Sequence, residues 1–572
     1  MSGAVQIERF SFSYQGSGAW QLSAVSSGLA HGERLAVMGA TGAGKSTLAS
    51  ALNGLIPHHH SGQVDGHIHV EGMDTVRTPT TQLVRTVGLV MQDAETQITG
   101  QKVLTDAAVG PANLGLPKDL VMSRAREALT LVGMGDLEER DATALSGGQK
   151  QRLAIAGIIA MKPRILVLDE PTSELDPQAT AEVFEVVKRL STQTETSLIM
   201  IDHEPEIIAE WADRLLVLKE GRVVYDGAPH GFFSDPQAVA NSALRAPQVS
   251  EVAVGLQRAG TYSGPVPTTL DEAIRLLPRL DAISGQYPAP VVQREQVGEP
   301  LVQVRGLGHD YPGGVRALQD VDVEIHAGEF VAVLGRNGAG KTTFARHLNG
   351  LLRPTTGTLR IAGLDTADLS VGQLAAHVGY VFQNPDHQIF ANTVREEVGF
   401  GLKNQGWDAE QIDERVDEVL ARVDMSALAD RHPFNLGKGQ RQRLAVASVL
   451  ALEPSVLVID EPTTGQDHVG SQAMLGLIQT LNEEGHAIVM ITHDMTLVAQ
   501  YARRVLLFAE GRMLADTSPR HLFGSDDLLR RGSLVPPQVT SLARALGAPH
   551  TVMTPAEYLR MSHPERADAD AN

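Results

Sequence analysis

Short, mainly apolar runs punctuate this chain at wide intervals. RLAVMG (34–39) and FVAVLG (330–335) each end in a glycine-rich loop and pass into a helical stretch. ILVLDE (165–170), VLVIDE (456–461), SLIMIDH (197–203) and AIVMITH (487–493) are further runs of the same kind. Strands that are apolar without alternation are buried on both faces, and helical stretches between them supply the cover. The pattern therefore predicts a mainly parallel sheet with helices on both sides. Near the C-terminus, Val539, Leu542, Ala545 and Leu546 fall at helical spacing and predict a helix packed by one face. No run of 18 apolar residues occurs, so no transmembrane helix is expected. The N-terminal MSGAVQIERFSFSYQG lacks the basic-then-apolar pattern of a secretion signal. The chain is expected to stay in the cytoplasm and to meet a membrane only through partners.

The runs come in pairs because the chain repeats itself. GATGAGKST (39–47) returns as GRNGAGKTT (335–343), with Lys341 lying 296 positions after Lys45. LSGGQKQRLAIA (145–156) returns as LGKGQRQRLAVA (436–447), and ILVLDEPTSELD (165–176) as VLVIDEPTTGQD (456–467), both 291 positions on. APQVSEVAVGL (246–256) is echoed by PPQVTSLARAL (536–546), so the repeated unit includes a small C-terminal extension. The polar, proline-containing SGQYPAPVVQREQVGEP (284–300) reads as an exposed linker, and the final HPERADADAN as a frayed tail. The expected divisions are 1–235, an extension at 236–283, the linker at 284–300, a second core at 301–525, and an extension and tail at 526–572.

Composition narrows the chemistry. With 572 residues, 42% hydrophobic and 20% charged, the chain is globular and too long for one core. It has no cysteine, which excludes disulfides, thiolate metal clusters and a cysteine nucleophile. A formal net charge of −20 argues against a general nucleic-acid binder.

Gly39, Gly42 and Gly44 precede Lys45 and Ser46, which fits G-x-x-x-x-G-K-[ST] directly after a strand and before a helix. Glycines let backbone N–H groups turn toward phosphate oxygens, and the helix N-terminus adds partial positive charge. The lysine supplies a point charge to the β- and γ-phosphates, and the hydroxyl can bind Mg²⁺. Gly335, Gly338, Gly340, Lys341 and Thr342 repeat the set. The loops predict the phosphates of a nucleotide with Mg²⁺, and the family resemblance carried by the motifs that follow makes that nucleotide ATP.

LSGGQ ahead of a DEPT strand end, with His203 following 33 residues after Glu170, resembles the ABC transporter ATPase family. The resemblance covers about 1–235 and 300–525. It implies an α/β fold of two P-loop NTPase domains, each a mainly parallel sheet flanked by helices, with an antiparallel β subdomain and a helical signature subdomain. Carried onto matching positions, it makes Glu170 and Glu461 the catalytic glutamates and His203 and His493 the switch histidines. Gln92 and Gln383 become the glutamines that sense Mg²⁺ and water. Asp169 and Asp460 hold Mg²⁺ together with Ser46, Thr342, Gln92 and Gln383. Tyr14 and Tyr311 resemble the aromatic that stacks on adenine, the lesser alternative being a packed tyrosine. Thr47 and Thr343 complete the phosphate loops. The signature residues Ser146, Gly147, Gly148 and Gln149, and Gly437, Lys438, Gly439 and Gln440, contact nucleotide as well. In this family two such domains pair head to tail. One chain carrying both would match Lys45 with the 436–440 loop and Lys341 with the 145–149 loop.

The second signature departs from LSGGQ, with Gly437 for the serine and Lys438 for the first glycine. The first-named site thereby loses a hydroxyl that in the family donates to the γ-phosphate, so both sites are expected to hydrolyse, this one more weakly. FQNPDHQIFANTVREEVGFG (382–401) resembles the ATPases of energy-coupling factor (ECF) importers and their cobalt or nickel relatives. MQDAETQITGQKVLTDAAVGPANLGL is a drifted copy. That resemblance implies an integral membrane coupling protein and a small membrane substrate-binding protein as partners, at the cytoplasmic face of the cell membrane, with uptake of vitamins, their precursors or transition-metal ions. The alternatives are a fused sugar-importer ATPase, opposed by two intact phosphate loops and glutamates, and a soluble tandem translation or ribosome factor, opposed by the short linker and acidic charge. His58, His59 and His60 invite a metal reading, against which stands a solvated loop after the phosphate-loop helix.

Overall fold

The computed structural model describes residues 3–280 and 299–562, apart from Glu174 and Gly465. The chain divides into two compact units, Met1–Leu277 and Pro278–Asn572. The expected tail and all of the expected linker except Glu299 and Pro300 lie outside the described residues, and Pro300 already opens a strand.

In the first unit a six-stranded sheet runs in the order Arg222–Gly227, Arg214–Lys219, Arg34–Gly39, Ser197–Ile201, Ile165–Asp169, Val87–Val90. All neighbours are parallel except the first pair. The pleat explains the unbroken apolar runs. Leu35 and Val37 face one core with Ile165 and Val167, while Ala36 and Met38 face another with Leu166 and Leu168. One core is covered by the helices Lys118–Leu131, Gly147–Ile159 and Pro177–Gln193. The other is covered by the helix Lys45–Leu52 and by a four-stranded antiparallel sheet, Leu22–Leu29, Val5–Tyr14, Gly62–Val70 and Met73–Asp74, through Phe10 and Phe12.

The second unit repeats this plan. Its six-stranded sheet runs Val378–Val381, Val456–Asp460, Ala487–Ile491, Phe330–Leu334, Arg504–Ala509, Arg512–Thr517. Its antiparallel sheet runs Val315–His326, Pro300–Tyr311, Thr356–Ile361, Leu364–Asp365. Close helix–sheet packing recurs at a strand glycine. A Cβ on Gly88 would meet Ile158 Cγ2 at 2.3 Å, and one on Gly379 would meet Val449 Cγ1 at 2.1 Å.

In each extension the echoed segment forms a helix, Gln248–Arg258 and Gln538–Ala545. The inward face of the second differs from the expected one. Val539, Leu542 and Leu546 are buried, but Ala543 is buried in place of Ala545, which is exposed. Both helices carry a buried hydroxyl donating to a later carbonyl, Ser250 to Pro267 and Thr540 to Val552, each at 2.6 Å.

Strand register decides where the chemistry meets. Asp169 pairs with Ile201, and Ile201 with Val37, so the ends of these three strands place Gly39, Glu170 and His203 along one edge. Carboxyl ends of parallel strands are where open α/β sheets bind ligands.

Candidate active site

Lys45 is the first residue of its helix, behind Gly44 at φ +100°. Its ammonium is buried and donates to the carbonyls of Gly39 (2.8 Å) and Ala40 (3.1 Å). Lys341 does the same with Gly335 (2.6 Å) and Arg336 (3.0 Å). The glycines divide by role. A Cβ on Gly44 would strike Leu22 Cδ2 at 2.6 Å, whereas one on Gly42, at φ +80°, would meet nothing within 4 Å. One side of the loop is packed against the antiparallel sheet and the other is open, as a phosphate cradle requires. Gly338 and Gly340 repeat the contrast.

Ser46 hydrogen-bonds the Asp169 carboxylate, whose pKa burial pushes up. The other oxygen, Oδ1, is buried with no hydrogen-bond partner. An unpartnered buried carboxylate oxygen beside a hydroxyl fits a hard divalent cation such as Mg²⁺. The second unit is built differently. The Tyr380 hydroxyl donates to Asp460 Oδ2 at 3.1 Å, and burial, with Glu461 adjacent, pushes this carboxyl up to about 6. The position of Tyr380 is held by Leu89 in the first unit. Only comparison of the two copies carries a signal for this residue.

Glu170 and Glu461 both adopt left-handed backbone, φ +48° and +50°. That region is unfavourable for a residue with a Cβ and persists only where the surroundings enforce it. Here the glutamate N–H donates to the next strand, Glu170 to Ile201 and Glu461 to Ile491, both 2.9 Å. The Glu170 carboxylate receives Gln92 Nε2 at 2.7 Å and lies 2.7 Å from His203 Nε2. Glu461 lies 2.8 Å from Nδ1 of His493, the other ring nitrogen. Among the described residues no hydrogen bond joins Gln383 to Glu461. Thus all three expected residues meet in the first unit, and two of the three in the second.

Sequence reasoning passed over Asp202. It is buried, accepts the N–H groups of His203 (2.7 Å) and Glu204 (2.9 Å), and takes the Thr172 hydroxyl at 2.8 Å. It positions the histidine turn. Thr492 stands in its place in the second unit and accepts from Asp494 N.

Tyr14 and Tyr311 each share a 3.2 Å hydrogen bond with a phosphate-loop threonine, Thr47 and Thr343. Both threonines are buried against these tyrosines. Ser146 caps the signature helix, accepting from Gln149 N (3.4 Å) while its own N–H donates to Gln149 Oε1 (3.1 Å). With Gly437 the hydroxyl is gone and only the reverse bond to Gln440 Oε1 remains, at 3.1 Å. Gly147 is exposed and Gly148 buried, while Lys438 and Gly439 are half-buried. Of the three histidines, His58 bonds the Thr75 carbonyl and His60 abuts the Tyr14 ring edge. Among the described residues no group of three metal-ligating side chains occurs.

Both units are matched by the sequence profile of one family, described as "ABC transporter", at residues 22–173 and 318–464. The chain belongs to the ABC transporter family. A relative from Caldanaerobacter subterraneus subsp. tengcongensis, named "Putative ABC transporter ATP-binding protein", is 40% identical over 90% of this chain and 91% of its own length. One of the same name from Methanosarcina acetivorans is 41% identical over 95% of this chain and 90% of its own. Among solved structures, cbiO1 from Clostridium perfringens, described as part of the ABC transporter complex cbiONQ, aligns over 46% of this chain and 98% of its own, at 29% identity and TM-score 0.39. The chain is an ABC ATPase with two ATPase domains of α/β fold, as its motifs led one to expect. No helix of the described residues is long and apolar enough to cross a membrane.

Proposed function

We propose that this ABC ATPase is the ATP-hydrolysing subunit of an importer of the ECF type. It works with an integral membrane coupling protein and a small membrane substrate-binding protein at the cytoplasmic face of the cell membrane. The cargo class is a vitamin, a vitamin precursor or a transition-metal ion.

One observation carries this reading. In the stretch whose sequence resembles ECF ATPases, Phe390 (60% exposed) and Phe400 (43%) present an edge-to-face pair, centroids 4.5 Å apart, to the surface. The pair stands on a fixed base. Glu397 is buried and accepts the N–H groups of Phe390 (2.9 Å) and Ala391 (2.8 Å). Exposed aromatics on a rigid loop form an anchoring surface for an apolar partner element. Asp106 plays the same part in the first unit, accepting from Thr99 and Gly100 at 2.8 Å each. That loop presents Thr99 and Val109 where the second has the two phenylalanines.

For the chemistry, the phosphate loops 39–47 and 335–343 and the signature residues Ser146–Gln149 and Gly437–Gln440 hold the nucleotide, with Tyr14 and Tyr311 at the base. Ser46, Asp169 and Gln92, and Thr342, Asp460 and Gln383, face Mg²⁺. Bound MgATP supplies the phosphoanhydride and a cation that offsets developing charge. Glu170, oriented through both oxygens by Gln92 and His203, accepts the proton of the attacking water, as Glu461 does beside His493. The test is purification of the tagged chain from solubilised membranes at native expression. Recovery of one or two small, very hydrophobic membrane proteins is expected. Recovery of ribosomes, or of the chain alone from the soluble fraction, overturns the importer reading and leaves the ATPase.

A further inference from the structure

The two copies diverge in the loops that follow Tyr14 and Tyr311. After Tyr14 the first unit runs Gln-Gly-Ser-Gly-Ala-Trp20, whereas after Tyr311 the second runs Pro-Gly-Gly-Val-Arg316, one residue shorter. The longer loop is held open by its own bonds. Gln15 N donates to the Ser61 carbonyl (3.1 Å), Ser17 N to that of Tyr14 (3.0 Å), and the Ser13 hydroxyl to that of Ala19 (2.7 Å). A cleft of about 460 Å³ lies here, with Tyr14, Trp20, Gln15 and Gln63 among its lining residues and Gly16 and Gly18 in the loop. This volume lies within the roughly 300–1,000 Å³ common for small-molecule sites.

Both aromatics are part-exposed, Tyr14 at 37% and Trp20 at 42%. The cleft is also tied directly to the phosphate cradle. Gln21 Nε2 donates to the Gly42 carbonyl at 2.8 Å, and Tyr14 bonds Thr47 at 3.2 Å. In the second unit Arg316 occupies the place of Trp20 and is turned to a 2.8 Å ion pair with Asp310. That leaves Tyr311 without a second aromatic wall from this loop.

We propose that Trp20 is a second base-contacting residue that, with Tyr14, encloses a purine, so that the two nucleotide sites of this chain differ in base affinity. The inference rests on the nucleotide reading above. Planar π-faces stack on any base, and a base held between two aromatic walls loses more water than one laid on a single ring. The first site thus gains affinity from the base, while the second relies more on the phosphates.

The test uses the full chain carrying Lys341→Ala, which confines binding to the first site, and the fluorescent analogue methylanthraniloyl-ATP. Trp20→Ala is expected to weaken binding about tenfold or more, the usual scale for removing an aromatic from a stacked base. Trp20→Phe is expected to keep affinity within about twofold. The inhibition constant of inorganic tripolyphosphate, which has no base, stays unchanged in both once the altered analogue affinity is taken into account, a result that a mere loop disturbance would not give. Conversely, Arg316→Trp in a Lys45→Ala chain strengthens the second site. Trp20→Ala binding like its parent, while Lys45→Ala still abolishes the remaining signal, overturns the inference and spares the nucleotide reading. Indifference to Lys45→Ala in the Lys341→Ala chain sinks the nucleotide reading itself.

Discussion

Replacing Asp460 by asparagine should stabilise the nucleotide-free protein, and the gain should depend on pH. Burial raises this carboxyl from 3.8 to about 6, against the favourable influence of the Tyr380 hydroxyl, Lys341 and Arg346. At about 1.4 kcal/mol per pH unit, holding Asp460 ionised in the fold costs about 3 kcal/mol at neutral pH. The sign follows from proton counting. Between 3.8 and about 6 the folded state binds more protons at this position than the unfolded chain, so stability falls as pH rises through that window and is level above it. Asparagine has no charge to bury, keeps an oxygen to accept from Tyr380, and removes the slope. For a unit of this length the unfolding entropy is about 0.6 kcal/mol/K, so the gain corresponds to about 5 °C. Differential scanning calorimetry in EDTA, on wild type and Asp460→Asn at pH 4.5 and 7.5, reads both quantities. A Tm gain of about 5 °C at pH 7.5, falling to about a third of that at pH 4.5, is expected. A gain equal at both pH values, or a loss at pH 7.5, refutes the burial argument.

Glu170→Gln and Glu461→Gln should each remove most ATP turnover, because each unit has its own glutamate beside a histidine. An unchanged ATPase rate in Glu170→Gln refutes the two-site reading. Gly44→Ala should lower Tm more than Gly42→Ala, since it adds a 2.6 Å clash to a left-handed strain of roughly 1–2 kcal/mol that both share. Gly42→Ala should instead weaken ATP binding, its new methyl standing in the open side of the loop, and equal effects on Tm refute the division. Asp106→Ala should leave two amides unsatisfied, at about 1–3 kcal/mol, and speed hydrogen exchange at Thr99 and Gly100. Unaltered exchange there refutes the bracing role.

Sequence alone determined the duplicated plan, the parallel sheets, the glycine–lysine loops between strand and helix, and the acid pairs at the strand ends. These are properties of contiguous residues. An unbroken apolar run reports a strand covered on both faces, and a glycine–lysine loop must sit between strand and helix to work. Tertiary structure decided the rest. Tyr380 reaches Asp460 across 80 residues, and nothing near either residue signals the bond, which Leu89 denies to Asp169. The left-handed glutamates look ordinary in sequence because neighbouring strands, rather than local propensity, hold them there. Ala543 displaces Ala545 from the helix face because the helix turns to fit what it packs against, and spacing alone leaves that rotation free. The same holds for Trp20. As a residue in a glycine-rich loop it carries no motif, and its meaning comes from sharing a cleft with Tyr14 beside the phosphate cradle.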